Sequence, residues 1–427
     1  MNRVLNKNQR NAGLFTFFIS GICVISSSIV VSLLQEGYGF AYGMTGTLLS
    51  LLSIGNLLSG FLTGMLPEKI GTKRTVTLLT AGYAVGYFCM GLTGWMAVLM
   101  LSFFLVGLAK GCTINTCTIL VGNNSENRTR GMNVMHACYA FGALLCPFLM
   151  AFAVKMGSAV PLFVLASCGL LLWLVFFLTP LGGKERASEG TASKTSGEPK
   201  PAEMEKTTKS AGMEKTPKPA GMEKTPKPAN ISEKAATDWS FLKSKKFWLL
   251  TGLIFCQNAA EFSANGWMVT YFKDSGIISG TLSTYTVTVM WTATLIGRLL
   301  IAFVFPIKNT CSALIKMSLG CIIFYLGMML TGSQIPAILL LFAFAFSMAG
   351  MNPTAVAGAG RMTSAASIGV MLPVASIGAI AMPWVAGVIS EHAGLTVGMT
   401  SNIVPCVGLF VFAVLVQRIS DREEEGA

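Results

Sequence analysis

Hydrophobic residues along this chain gather into twelve long apolar runs, at 14–34, 45–65, 76–93, 96–120, 133–154, 159–180, 247–272, 282–305, 311–330, 334–358, 366–389 and 394–416. A helix rises 1.5 Å per residue and the hydrocarbon core of a bilayer is about 30 Å thick, so runs of roughly 17 to 25 residues have the length of a membrane crossing. The runs form two groups of six, separated by a basic, Pro-containing stretch over 181–246. The pattern predicts an all-α membrane protein with twelve transmembrane helices in two six-helix bundles. One half spans 1–180, a flexible cytoplasmic linker spans 181–246, and the other half spans 247–427.

Composition agrees with a chain that lives in lipid. Of the 427 residues, 53% are hydrophobic and 12% charged, against about 25% charged in an average soluble domain. The net charge of +12 would suit nucleic acid, but its placement points elsewhere. Of 31 Lys and Arg, 14 lie between Lys184 and Lys246. Of the other 17, 13 fall on the side that holds both termini, two on the opposite side (Lys155 and Lys273) and two inside helices (Lys110 and Arg298). Basic residues in short loops stay in the cytoplasm, so the expectation is a multi-pass protein of the cell membrane with both termini cytoplasmic. The linker then has access to anionic lipid headgroups, and no nucleic-acid partner is implied.

The first run follows Arg3, Lys7 and Arg10 and is too long for a signal-peptide core, so it reads as a retained helix. Eleven Cys are spread through the runs without a CxxC pair or nearby His ligands, which favours small apolar packing over metal or redox chemistry. Three glycosylation sequons, at Asn123, Asn127 and Asn230, fall on the side expected to be cytoplasmic and are expected to stay bare.

Two repeats organise the chain. The linker carries a nonapeptide three times, MEKTTKSAG from Met204, MEKTPKPAG from Met213 and MEKTPKPAN from Met222. Such a segment buries too little apolar surface to offset chain entropy and reads as a tether. The larger repeat relates the two halves. MGLTG ends at Gly94 and MMLTG at Gly332; Asn115 follows the first by 21 residues and Asn352 the second by 20. Gly142 and Pro147 in GALLCP then match Gly378 and Pro383 in GAIAMP. Four landmarks in one order imply parallel halves, an arrangement in which transporters bind solute between the halves near the midplane.

With these features the chain resembles a major facilitator superfamily permease. GMLPEKIGTKR, from Gly64 to Arg74, resembles the superfamily's loop signature. Gly71 suits a tight turn, while Lys73 and Arg74 are donors available to a carboxylate such as Glu68. The resemblance implies that Glu68 caps a helix of the other half and helps to hold a cytoplasmic gate shut. FCQNAAEFSANGWMVTYF from Phe255, HACYAFGALLCP from His136 and LIGRLL from Leu295 are similar to the fucose/proton symporter and glucose transporter-like group. That group has acidic residues in its first and fourth helices; here the first run offers Ser26, Ser27 and Ser28, and the fourth has Lys110.

Glu261 is the single carboxylate of 19 that lies within a run away from its ends. An ionisable group at that depth is costly, which marks it as a candidate for proton coupling or solute binding. Lys110 lies about 15 Å and Glu261 about 21 Å above the cytoplasmic ends of their runs at 1.5 Å per residue. They either pair across the halves or Lys110 snorkels to the interface. Gln257 and Asn258 are hydrogen-bonding neighbours for Glu261, and Asn115 and Asn352 are amides suited to sugar hydroxyls or to helix packing. Trp267 and Trp291 either stack on a sugar face or anchor helices. His136 reads as interfacial, with coupling as the other reading, and Arg298 as a gate contact.

The expected function is a secondary active transporter of a small polar solute, a sugar, by alternating access with proton symport; sodium is the alternative ion. A proton-coupled exporter of amphipathic compounds or a non-transporting sensor with the same fold are the competing readings. No HExxH, GxSxG or GxxxxGK[ST] occurs, so neither a cofactor-dependent enzyme nor P-loop ATP hydrolysis is expected. The protein is expected to be a monomer.

Overall fold

Long helices run through nearly all of the described chain, because every backbone polar group in hydrocarbon must find its partner within the segment. The computed structural model describes residues 6–126, 128–181, 240–304, 307, 309–355 and 365–425. Most of the linker expected over 181–246, its three nonapeptides, and the sequons at Asn127 and Asn230 lie outside the described residues.

The first six runs become α1 (Lys7–Ile25) with α2 (Ser27–Tyr38), α3 (Tyr42–Ile70), α4 (Thr72–Leu92), α5 (Met96–Asn123), α6 (Arg128–Val154) and α7 (Val160–Leu178). After them come α8 (Lys245–Asp274), the short α9 (Gly280–Ser283) leading into α10 (Thr286–Phe303), α11 (Thr310–Leu330) and α12 (Gln334–Met348). Then follow α13 (Ala365–Ala393), the short α14 (Leu395–Thr400) and α15 (Ile403–Glu425). The helix ends have local causes. Asn6, Ser244 and Asn309 accept hydrogen bonds from the backbone N–H groups of Gln9, Phe247 and Ser312, which caps α1, α8 and α11. Gly39 closes α2 at φ 64°, in the left-handed region that lacks a Cβ penalty only for glycine.

Two runs differ from their expected shape. The first extends over Lys7–Tyr38 and breaks at Ser26, whose hydroxyl turns back to the Cys23 carbonyl at 2.7 Å and meets the Tyr87 hydroxyl at 3.2 Å. Among the described residues eleven helices are long and apolar enough to cross a membrane. The seventh run lies within the 30-residue α8, which falls short of that apolarity because Gln257, Asn258, Glu261 and Asn265 interrupt it.

Buried apolar side chains form two clusters, one built almost wholly from residues before Leu181 and one almost wholly from residues after Phe241. Large apolar side chains such as Phe148, Phe303 and Leu330 are exposed on the outside, as lipid contact requires. The landmarks of the larger repeat serve matching joints. A Cβ on Gly142 would stand 2.1 Å from the Phe18 carbonyl oxygen, and one on Gly378 would stand 2.2 Å from that of Phe255. Glycine therefore lets α6 cross α1 and α13 cross α8 at backbone contact.

The halves meet most closely at the end where α2 finishes and α3 begins. There a Cβ on Gly46 would lie 2.6 Å from the Pro383 carbonyl oxygen, and Gly46 faces Gly387. Among the described residues four polar contacts latch this end: Tyr42 donates to Asp274 at 2.9 Å, the Gly43 N–H to Glu391 at 3.1 Å, Ser50 to the Ile380 carbonyl at 2.6 Å, and Lys273 pairs with Glu36. Gly64 lies five helical turns further along the same face of α3, about 27 Å away. Among the described residues, nothing lies within 4 Å of a Cβ placed there.

Candidate functional site

The break at Ser26 and the polar stripe of α8 face each other across the halves. Between them is a cavity of about 190 Å3. The first half lines it with Ser27, Ser53, Lys110 and Tyr139, and the second with Glu261, Phe262, Asn265, Trp291 and Pro383. A narrow cleft of about 20 Å3 adjoins it through the shared residues Glu261, Asn265 and Trp291, and adds Gln257, Thr294, Arg298 and Asn352. That cleft has room for about one water molecule.

Helical periodicity explains who faces the space. Gln257, Glu261 and Asn265 recur every four residues on α8, and Trp291, Thr294 and Arg298 recur at three and four on α10. Asn258 is one residue off the α8 stripe and lines neither space.

A hydrogen-bonded chain runs along the cleft. Asn352 donates from Nδ2 to Gln257 Oε1 at 2.9 Å, and Gln257 donates from Nε2 to a Glu261 carboxylate oxygen. Gln257 is fully buried, so its amide has no water to turn to and holds the carboxylate in place. Asn265 is anchored by a 2.9 Å bond to the Glu261 backbone carbonyl, and Arg298 Nε by a 3.3 Å bond to the Ala349 carbonyl. Trp291 meets Tyr139 edge to face at 5.6 Å between ring centroids, a contact that crosses the halves.

Lys110 neither snorkels nor pairs. It is 7% exposed, and its Nζ sits 4.8 Å from the centroid of the Phe262 ring. Among the described residues the salt bridge formed is Lys273 to Glu36, so the direct Lys110–Glu261 pair, one of the two readings from sequence, is absent in this conformation. Both residues nevertheless line one cavity.

The other expected site residues separate by role. Asn115 donates to the Thr63 hydroxyl at 2.8 Å and ties α5 to α3, while its counterpart Asn352 joins the cleft. Trp267 is 0% exposed and donates to the Pro383 carbonyl at 3.1 Å, so it cannot stack on a solute here. His136 is exposed beside Phe17, with ring centroids 5.7 Å apart, and lines neither space.

The loop motif holds its own half together. Gly71 takes φ 85°, a conformation that favours glycine. Lys73 turns from Glu68 to the carbonyls of Phe176, Phe177 and Thr179, where a cation suits the negative C-terminal end of α7. Glu68 and Arg74 are exposed, and Glu68 makes no hydrogen bond to the other half among the described residues. Arg298, expected with the gate, lies in the cleft instead because the α10 register carries it there.

Sequence reasoning missed Asn265, Thr294, Tyr139 and Phe262. The four-residue stripe on α8 was a usable signal for Asn265; Phe262 had none, since its part depends on a lysine in the other half. Among the described residues no three His, Cys, Asp or Glu side chains gather as a metal site would need. All eleven Cys are free, most of them buried.

Residues 13–372 match the profile of the Major Facilitator Superfamily. The chain belongs to the Major Facilitator Superfamily. Its curated relatives within reach are distant. It is 25% identical over 173 residues to the protein TsgA homolog of Yersinia enterocolitica, which covers 39% of this chain and 42% of the relative. It is 26% identical over 172 residues to the TsgA homolog of Yersinia pestis (strain Pestoides F), covering 38% and 42%. The match thus spans about two-fifths of these relatives' length.

Solved structures of the superfamily share the fold over nearly the whole chain. The nucleoside transporter NupG superposes with a TM-score of 0.72 at 13% identity, covering 96% of this chain and 98% of that one. A bacterial homolog of the human lysosomal transporter Spinster, inward-facing and unoccupied, superposes with a TM-score of 0.69 at 14% identity, covering 97% and 98%. These neighbours are superfamily transporters, and membership sets aside an enzymatic reading of the cavity.

Proposed function

We propose that this superfamily member is a secondary active transporter that carries a small polar solute, a sugar, across the cytoplasmic membrane by alternating access, with proton symport through Glu261. The observation that carries this reading is the chain Asn352–Gln257–Glu261 at the edge of a cavity lined by both halves. A carboxylate inside a membrane span is retained at a cost, and one at the wall of a cavity lined by both halves is placed to carry the coupling proton. Amides along the cleft match the donors and acceptors of hydroxyl groups. The motifs similar to the fucose/proton symporter and glucose transporter-like group support a sugar.

Latching of the halves at the Gly46–Gly387 end, with separation along α3 toward Gly64, supports a conformer open toward the side of the chain termini. That side is cytoplasmic in this reading, by the distribution of Lys and Arg. The transporter works as a monomer, with the bilayer and the solute as its partners and no cofactor besides the coupling proton.

Uptake into proteoliposomes tests the reading. An acid-outside gradient should drive accumulation of the solute by the wild type, and Glu261→Gln should abolish accumulation while leaving exchange of solute across the membrane. Uptake indifferent to both the gradient and the substitution would contradict proton symport through Glu261.

A further inference from the structure

We infer that the solute is an organic monoanion, a polyhydroxylated carboxylate, whose carboxylate docks at the Lys110 ammonium. The inference rests on reading the cavity as the solute site and narrows what that site takes.

Hydrogen-bonding inventory points to a missing acceptor. Lys110 is buried and faces the cavity, yet among the described residues its ammonium has no hydrogen-bond acceptor and no carboxylate within 4 Å; an aromatic face is its contact. Trp291 belongs to the same wall, and its indole N–H is buried without a partner among the described residues. Both groups are donors with no capacity to accept. A buried ammonium without an acceptor beside this space calls for a ligand that brings acceptors, and a carboxylate offers about four lone-pair sites. A sugar hydroxyl also accepts, but it carries no charge and brings a proton that needs an acceptor of its own.

Charge points the same way. The described residues around the cavity and its cleft carry two cations, Lys110 and Arg298, and one carboxylate, Glu261. With Glu261 ionised the balance is one positive charge; with Glu261 protonated it is two. Glu261 does not neutralise Lys110 by contact: among the described residues the two form no ion pair, and the carboxylate accepts from Gln257. A cation out of water without a contact partner is costly, and a neutral sugar leaves that cost in place. With Glu261 ionised, a bound monoanion brings the balance to zero, whereas a dianion such as a phosphate ester overshoots it. The remaining amides, Asn265 and Asn352, keep their match to hydroxyl groups. The cavity of about 190 Å3 has room for several waters or for a small solute.

Matched ligands on one carbon skeleton test the inference. Binding of glucose, glucuronate, glucuronamide and glucose 6-phosphate to the purified full-length protein would be followed by thermal shift and titration calorimetry. Glucuronate should bind at least about ten-fold more tightly than glucose or the uncharged glucuronamide, as a charge-assisted hydrogen bond implies. Lys110→Gln should bring glucuronate down to the affinity of glucose, and Lys110→Arg should keep the preference. Glucose or glucuronamide binding as tightly as glucuronate to the wild type would overturn the inference, with no need for a variant that folds. So would tighter binding of the phosphate ester, or a preference for glucuronate that survives Lys110→Gln. Binding of glucose alone would leave the polar-solute reading standing, whereas no binding by any of the four would count against that reading and this inference together.

Discussion

Asn115 and Asn352 hold matching places in the two halves, 21 and 20 residues beyond matching turns, and they do different things. Asn115 reaches Thr63 and fastens α5 to α3 inside the first half. Asn352 reaches Gln257, which holds Glu261 beside the cavity. The cause is the partner across the helix pair: α3 offers a hydroxyl, α8 an amide already engaged with a carboxylate. Gly142 and Gly378 make the opposite case, since both open the same backbone crossing in their own half. Internal repetition thus fixes the frame twice and the site once, with the amide chain in the second half and a lone cation, Lys110, in the first.

The largest effects should come from the shared frame. Gly142→Leu and Gly378→Leu each place a Cβ within 2.2 Å of a carbonyl oxygen, so the helix pair must separate. Overpacking of this kind costs about 1–3 kcal/mol or more, and neither variant should give monodisperse protein on size-exclusion chromatography. Tolerance of one substitution and not the other would break the equivalence of the two joints.

Next comes the amide that links the site. Gln257→Leu removes both bonds of the chain and leaves Asn352 and the carboxylate without their partner. Solute uptake should fall by about ten-fold or more, in line with the loss of a charged hydrogen bond. The folded yield should drop less. Unchanged uptake would remove Gln257 from the site.

Trp291→Phe keeps the edge-to-face contact with Tyr139 and deletes the unpartnered N–H. Affinity for a solute that accepts from that donor should weaken about five-fold, and stability should hold or rise slightly because no protein bond is lost. Stability that falls with affinity unchanged would assign the N–H a structural partner instead.

The smallest effect belongs to the latch. Glu36 is 63% exposed and pairs with Lys273 near water, so Glu36→Gln should change the melting temperature by no more than about 1 kcal/mol would. Its readout is access: labelling of a cysteine introduced at the latch end should rise modestly, because one of the four polar contacts described between the halves is weakened.

The frame was largely legible in sequence, since membrane spans and parallel halves are written as long runs and repeated landmarks. Where the reading fell short, tertiary neighbours decided. The break at Ser26 depends on Tyr87 of α4, and the low apolarity of α8 reflects a polar stripe that faces a cavity, not lipid. Among candidate site residues, Glu261, Gln257, Asn352, Lys110, Trp291 and Arg298 converge on the two spaces. Trp267 looked equally suitable as a stacking surface, but a carbonyl 116 residues away claims its N–H. Glu68 and Lys73 looked like an ion pair, but the C-terminal carbonyls of α7 take the lysine.

Solute affinity in Asn352→Ala and Asn115→Ala tests the asymmetry of the site most directly. Titration calorimetry should show Asn352→Ala weakening solute binding by about five-fold or more, while Asn115→Ala lowers the melting temperature and leaves the dissociation constant unchanged. Equal loss of affinity in both variants, or loss in Asn115→Ala alone, would contradict a site built on the second half's amide chain.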